Sequence, residues 1–563
     1  MTTWLAWGCA ALIVASGCGT AEDDDGSVSG TGTAGDESGD SSTGGPPPSG
    51  DVGLDPLAVP EPRAGRLNDQ QYRYTVLDLL GVELTPAELE VLPRDIPSGR
   101  DYSTTIDPQF FNSSYVLAYA EIARSVSERL EPAALLAEFA GCDGVDPGCR
   151  PAFVAGLGRR LLRRPLDEDE HSRYLDLAMT IASVPETSED DVVRGIVQAM
   201  MQSPSFLYRL EDETSGEPGT VREVSGYELA SRLSYFLWQS APDEELLDFA
   251  AGPAGDGRFD PEALGDQIDR MIADPRFART RSSFWGDYTL AARSNFATTD
   301  AALADELRTS LLASLERMSG GDGEPEPLSA IFDGRRYLMT PAVAELAGVP
   351  SLGDGLQDYD LHDLPERRGL VTHPSFLASI STTSFVGRGL FLTERLLCQH
   401  VAQPPATIAE QIETTAEATE GMTPREASQF RLGLEPVCRG CHTQFEPVAY
   451  AFERYDISGR YTRLDEHGRA LYSDGVLPAF EGRPELAFHG AGELLQQLSG
   501  TTTVYACLVE NMTQFGTGRH PVLDGPFHAD TTMRFIDDGL GFDALARAVA
   551  SSEQHTLTRV VEP

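Results

Sequence analysis

Apolar residues recur every three or four positions through most of this chain, the period of helices that bury one face. Tyr72, Val76, Leu79 and Leu80 form such a stripe after Leu67-Asn68, and Gly81 stands where a left-handed C-terminal residue belongs. Between Phe111 and Leu130 the spacing puts Val116, Tyr119, Ala123, Val126 and Leu130 on one predicted buried face. Pro165, Asp167 and Glu168 open another helix, because proline loses no bond there and acids meet the positive end of the dipole. The preceding Arg163-Arg164 pair reads as a solvated helix edge. Val192, Val193, Ile196, Val197, Met200 and Met201 make a further stripe, stopped at Ser203-Pro204, and at that spacing the methionines read as core rather than metal ligands. Ser225 and Glu228 form a capping box ahead of Leu229, Leu233, Phe236 and Leu237. Helix returns around Leu494 and from Tyr505 to Gly516.

The period changes in one stretch. Tyr461 to Leu464, Asp465 to Gly468 and Ala470 to Tyr472 read as a small hairpin with glycine at its turn. The expected fold class is therefore mainly α, a multi-module helical protein with a minor β-hairpin. No GxGxxG or P-loop pattern occurs, which argues against an ordinary nucleotide-dependent enzyme. A length of 563 residues suits two to four cores. Lys plus Arg number 43 against 88 Asp plus Glu, a formal charge of −45, and so negative a surface repels phosphate backbones, which excludes nucleic acid as the expected partner.

The first residues speak to location. Trp4 to Ser16 is apolar but too short to span a bilayer, and it ends in Ala15-Ser16-Gly17 directly before Cys18. Residues 1–17 are thus predicted to be a secretory signal. Small residues before a cysteine resemble the bacterial lipobox, which makes Cys18 the expected lipidated first residue. A signal cut elsewhere, without lipid, is the alternative, since no Lys or Arg precedes Trp4. Residues 18–62 are acidic and rich in Gly, Ser and Pro, with too little apolar surface to fold, and read as a flexible tether. The expected placement is export with a lipid anchor in the membrane, at the outer membrane, periplasm or surface of a Gram-negative bacterium.

Export gives the cysteines meaning. With Cys9 in the signal, Cys18 lipidated and Cys438/Cys441 carrying a cofactor, four remain, and disulfides persist outside the cytoplasm. Cys142 and Cys149 bracket the turn-forming DGVDPG and are expected to pair, which leaves Cys398 with Cys507.

The stretch EPVCRGCHTQFEPVAYAFERYD contains CxxCH. Covalent haem attachment needs two thiols at this spacing and an adjacent histidine to ligate the iron, and Cys438, Cys441 and His442 supply them. Structural zinc wants four ligands in short-spaced pairs, and no second CxxC or HxxxH occurs. A thioredoxin-like dithiol wants a βαβ context, and no such alternation is present. A plain Cys438–Cys441 disulfide stays open. For the sixth iron position Met512, His373 and His520 are candidates, with Met422 a further one, although Met512 shares an apolar helix face with Leu508. A Met or His ligand gives an electron carrier, and an open site permits ligand or peroxide chemistry. Glu446, Glu453 and Asp456 read as setting local structure.

Several stretches resemble a known family, the modular cytochrome-c-like proteins of planctomycetes, spirochaetes and myxobacteria built from PSD and PSCyt domains. RLNDQQYRYTVLDLLGV is similar to the N-terminal module, and FVAGLGRRLLRRPLDEDEHSRYLDL through VQAMMQSPSFLYRLE to the next. VSGYELASRLSYFLWQSAPDEELLDFAA resembles the central one. RGLVTHPSFLASIS, RGLFLTERLLCQH and CRGCHTQFEPVAYAFERYDISGRY resemble the cytochrome-like module, and CLVENMTQFGTGR the last. The resemblance implies helical modules at 63–140, 141–215, 216–355 and 481–563, a cytochrome-c-like module at 356–480, and one covalent haem c on Cys438 and Cys441 with His442 as proximal ligand. This chain has Glu446-Pro447 where the family usually has Asp-Pro. A redox protein of the envelope is the implied partner, and electron transfer, or service as a redox subunit, the implied role. Two other readings stand beside it: a non-catalytic surface lipoprotein that binds a partner or glycan, and a haem oxidoreductase with an open sixth site.

Overall fold

A computed structural model describes residues 64–93, 101–106, 109, 112–211, 217–253, 259–290, 296–320, 326–379, 384–402, 409–434, 436–479, 484–520 and 526–560. The signal, the tether and Cys18 lie outside the described residues. Among the described residues the protein is mainly α, with four two-stranded antiparallel sheets, and no helix is long and apolar enough to cross a membrane.

Reciprocal capping starts many of the helices. Asn68 accepts the Gln71 N–H at 2.8 Å while the Gln71 side chain returns to the Asn68 N–H, and the same box recurs at Thr85/Glu88, Asp167/Glu170, Ser188/Asp191, Ser225/Glu228 and Thr423/Glu426. The helix Asp69–Leu80 ends at Gly81 with φ 66°, the left-handed cap that glycine adopts without strain. Its buried face joins those of Ser113–Glu128, Pro132–Ala140, Arg150–Leu161 and Glu189–Met201 in one cluster running from Leu67 to Ala241. The Cys142–Cys149 bridge staples the turn between the third and fourth of these.

A second, larger cluster gathers residues from Tyr102 to Ala550, with Phe236, Trp285, Tyr288 and Phe515 at its centre. Helices distant in sequence meet there: Gly226–Leu237, Phe277–Tyr288, Thr502–Thr517 and Phe542–Ala550. Val221–Glu223 pairs with Leu557–Arg559, tying the last described strand to the start of the central helices, and Cys398–Cys507 links the same core across a sequence separation of 109. A third, smaller cluster lies around the Arg336–Met339/Gln357–Asp360 ladder.

Two local expectations are corrected. Arg163 is no solvated edge: it is 4 % exposed. It follows the last residues of Arg150–Leu161 with φ 63°, and this left-handed turn swings the guanidinium inward onto the carbonyls of Ser205 and Tyr208, both at 2.6 Å. Val116 leaves the predicted stripe and is 50 % exposed, while Tyr119, Ala123, Val126 and Leu130 are buried. The expected hairpin over 461–472 is present in minimal form, Leu464 bridging Ala470 antiparallel about a turn with Gly468 at φ 78°, and a longer ladder lies just beyond it, Asp474–Leu477 with Leu486–His489.

Candidate functional site

CxxCH lies on the helix Pro436–Ala449. Residues three and four apart share a helix face, so Cys438, Cys441 and His442 line up, and Phe445 and Glu446 continue the stripe inward. Exposure falls along it. The two cysteines are half-buried, His442 keeps 24 % of its side chain exposed, and Phe445 and Glu446 are buried. Both thiols are free, whereas the other four described cysteines are bonded in pairs.

Three elements hold the helix. Phe385–Phe391 crosses it at Gly389, where an added Cβ would sit 2.5 Å from the Phe445 carbonyl, so only glycine allows this approach. Beside it Arg388 donates to the carbonyls of Tyr455 and Asp456 at 2.6 and 2.7 Å, satisfying acceptors just past the helix. The strand Asp474–Leu477 crosses through Gly475, whose added Cβ would press on Phe488 and on the Pro447 carbonyl. Pro424–Leu432 runs antiparallel alongside: Arg425 meets Glu453 at 2.8 Å, while Ser428 and Arg431 both donate to Glu446 at 2.6 Å.

Glu446 is the electrostatic centre of this end. Burial pushes its carboxyl up, and the contacts from His442, Ser428 and the Arg431 charge outweigh that and hold it below the usual range. His442 Nδ1 is closed off from solvent 3.1 Å from Glu446 Oε1, off the line of a good hydrogen bond, and the ring meets Phe445 at 5.1 Å. A buried carboxylate beside one ring nitrogen is the usual support for a metal-binding histidine, and it would leave Nε2 to act as the ligand. The donor set therefore fits a covalently attached haem: two unpaired thiols at the required spacing and an imidazole oriented from behind. Ser428 and Arg431 were not legible in the sequence, because they arrive by tertiary packing. The His442–Glu446 spacing of four was a signal for that pair.

The candidate sixth ligands are engaged elsewhere. Met512 is fully buried in the large core on Thr502–Thr517. His373 is fully buried at the start of Pro374–Leu377, its Nδ1 accepts the Ser375 N–H at 3.1 Å, and burial with the nearby Arg367 charge drives its pKa down to about 3. His520 lies 3.3 Å from Asp101. Met422, 37 % exposed, precedes Arg425, which pairs with Glu453, so the antiparallel register carries it away from His442. Glu453 and Asp456 serve local structure, the first with Arg425 and the second accepting the N–H groups of Ser458 and Arg460.

Family comparison places four matches along the chain, each described as a protein of unknown function: PSD3 (DUF1587) over residues 65–130, PSD5 (DUF1595) over 149–211, PSD4 (DUF1592) over 224–320 and PSCyt3 (DUF1588) over 367–465. CxxCH falls inside the last. No curated protein and no solved structure matches. With these modules in the order its sequence stretches indicate, the chain belongs to the modular family built from PSD and PSCyt domains.

Proposed function

We propose that this protein is an exported, lipid-anchored monohaem c-type cytochrome-like protein that carries electrons, or acts as a redox subunit, in the cell envelope. The observation that supports it best is the pair of free thiols, Cys438 and Cys441, beside an imidazole backed by a buried carboxylate, in a chain whose other described cysteines are bonded. Cys438 and Cys441 would each add across one vinyl group, and His442 would ligate the iron. The bound group supplies one-electron redox chemistry. The protein's own part is to orient His442 through Glu446, to hold Glu446 ionised through Arg431 and Ser428, and to seat the helix against Gly389.

The test is expression of the full chain in a host with haem-attachment machinery. Absorbance in the Soret region should survive denaturation and organic extraction, and Cys438→Ser with Cys441→Ser should abolish it. Colourless protein under full haem supply would instead favour a surface lipoprotein without redox chemistry.

A further inference from the structure

The CxxCH helix continues through the turn Tyr450–Phe452 to Arg454 and Tyr455, and at this end, opposite the thiols, lies a cavity of about 360 Å³. Arg335, Arg368, Arg454 and Arg463 line it, against Glu366 and Glu493. Guanidinium groups thus outnumber carboxylates on its wall, in a chain whose overall charge is −45. His489, also on the wall, is paired with Asp474 at 2.7 Å.

Like charges gathered around a partly closed space repel unless an anion joins them. The contacts that fix Arg335 and Arg454 are to neutral acceptors and leave their charge uncancelled. Arg335 donates to the carbonyls of Leu364 and Arg367 at 3.2 and 3.4 Å, and Arg454 to the Leu471 carbonyl and the Tyr461 hydroxyl at 3.1 and 3.2 Å. Arg368 lies 3.1 Å from Asp333, yet its Nη1 is closed off from solvent without a partner. Burial and the neighbouring Arg335 charge lower its pKa against the opposing pull of Asp333. Arg463 is exposed, with no side-chain hydrogen bond or ion pair to a described residue. Behind the wall, fully buried Arg367 stacks on Tyr455 at 5.4 Å.

The rest of the wall suits the same class of ligand. The helix Ala491–Ser499 begins at Gly490, which has no side chain to cap its first-turn N–H groups, and Gly490 to Glu493 line the cavity. Gly492 lets this turn approach the 365–368 loop, since a Cβ there would lie 2.6 Å from the Pro365 carbonyl. The rings of Tyr455 and Tyr461, edge to face at 5.4 Å, supply an apolar side.

We propose that this cavity binds a small organic oxyanion, a polycarboxylate or a phosphorylated compound, whose charged groups meet Arg335, Arg368, Arg454 and Arg463 while Tyr461 covers its carbon frame. None of the residues that would hold haem lines it, so the proposal stands apart from the redox reading. The experiment is isothermal titration of the full chain in low-salt buffer with citrate, with inorganic phosphate and with glucose as the uncharged control. Saturable one-to-one binding of citrate or phosphate, weakened about tenfold or more by Arg463→Ala and by Arg368→Gln, and absent with glucose, is the expected result. Binding of citrate alone points to a carboxylate ligand, and of phosphate alone to a phosphorylated one. Because the exposed Arg463 side chain makes no hydrogen bond or ion pair to a described residue, its replacement should leave the melting temperature unchanged, so weakened binding reports on the cavity rather than on folding. No saturable binding of either anion at about 10 mM, or affinity untouched by Arg463→Ala, would overturn the proposal.

Discussion

Replacing Glu211 by glutamine removes the charge at the centre of a buried arginine cluster. Glu211 accepts Arg232 Nε and Nη2 at 2.8 and 2.9 Å, a two-pronged pair, and Arg519 Nη2 at 3.0 Å. The three side chains are 10 %, 7 % and 9 % exposed respectively, so water screens them little. Arg209 stands nearby: burial brings its pKa down to about 10, Glu211 pulls it up, and Arg519 and Arg163 push it down. The carboxylate thus joins the chain after Pro204–Leu207, the helix Gly226–Leu237 and the end of Thr502–Thr517. Two unit charges at contact attract by about 4 kcal/mol at an effective dielectric of ~20, and desolvation offsets much of this. Removing one partner of a buried pair costs about 3–5 kcal/mol, and because glutamine keeps an acceptor oxygen the expected loss is about 3 kcal/mol. That is a large share of a margin of about 5–15 kcal/mol. Native-state hydrogen exchange is the assay, and protection in Gly226–Leu237 and Thr502–Thr517 should fall about a hundredfold. The pH dependence carries a sign. Burial raises the Glu211 pKa, Arg232 and Arg519 overcome it, and the folded value lies well below the unfolded one. Its stabilisation is therefore complete above the unfolded carboxylate pKa and is lost as pH falls toward the folded value. Wild type should lose protection on acidification below about pH 4.5, and the variant should show a flatter profile. Unchanged protection in Glu211→Gln, or equal acid slopes in the two proteins, would refute this reasoning.

Other perturbations read other parts of the structure. Gly389→Val should drive Phe385–Phe391 off the CxxCH helix, lowering stability by about 1–3 kcal/mol in thermal melts and cutting the yield of haem-loaded protein. Glu446→Gln strips the carboxylate from beneath His442 and Arg431. Exchange in Pro436–Ala449 should quicken, and the acid-induced loss of protection, expected in wild type because the folded Glu446 pKa is depressed, should weaken. Changing Cys398 and Cys507 together to serine opens a loop of 109 residues, which chain entropy puts at about 4–5 kcal/mol, and chemical denaturation should show the unfolding free energy lowered by about that amount.

Much of the fold was legible because it rests on local period. The stripe from Val192 to Met201 is buried throughout, and the Ser225/Glu228 box marks a true helix start. Where the reading failed, local pattern could not decide. An Arg-Arg pair before a proline looks alike on a solvated edge and at a buried anchor, and what sends Arg163 inward is a left-handed backbone angle together with carbonyls some forty residues away. Val116 fits the helical spacing, but among the described residues no neighbouring element covers that turn, and a stripe is buried only as far as its partner reaches. The same limit applies around CxxCH. The i, i+4 pair of His442 and Glu446 is written in the sequence, whereas Ser428, Arg431 and Gly389 join it through packing. The arginines of the cavity come from positions 335 to 463, which no periodicity links.

Intact-mass spectrometry of the exported protein, joined to an absorption spectrum after denaturation, decides the redox account. One porphyrin mass retained on the peptide that contains Cys438 and Cys441, with the native reduced spectrum lost in His442→Ala, is the outcome the account requires. A mature chain with two unmodified thiols and no Soret band, made under full haem supply, would contradict it.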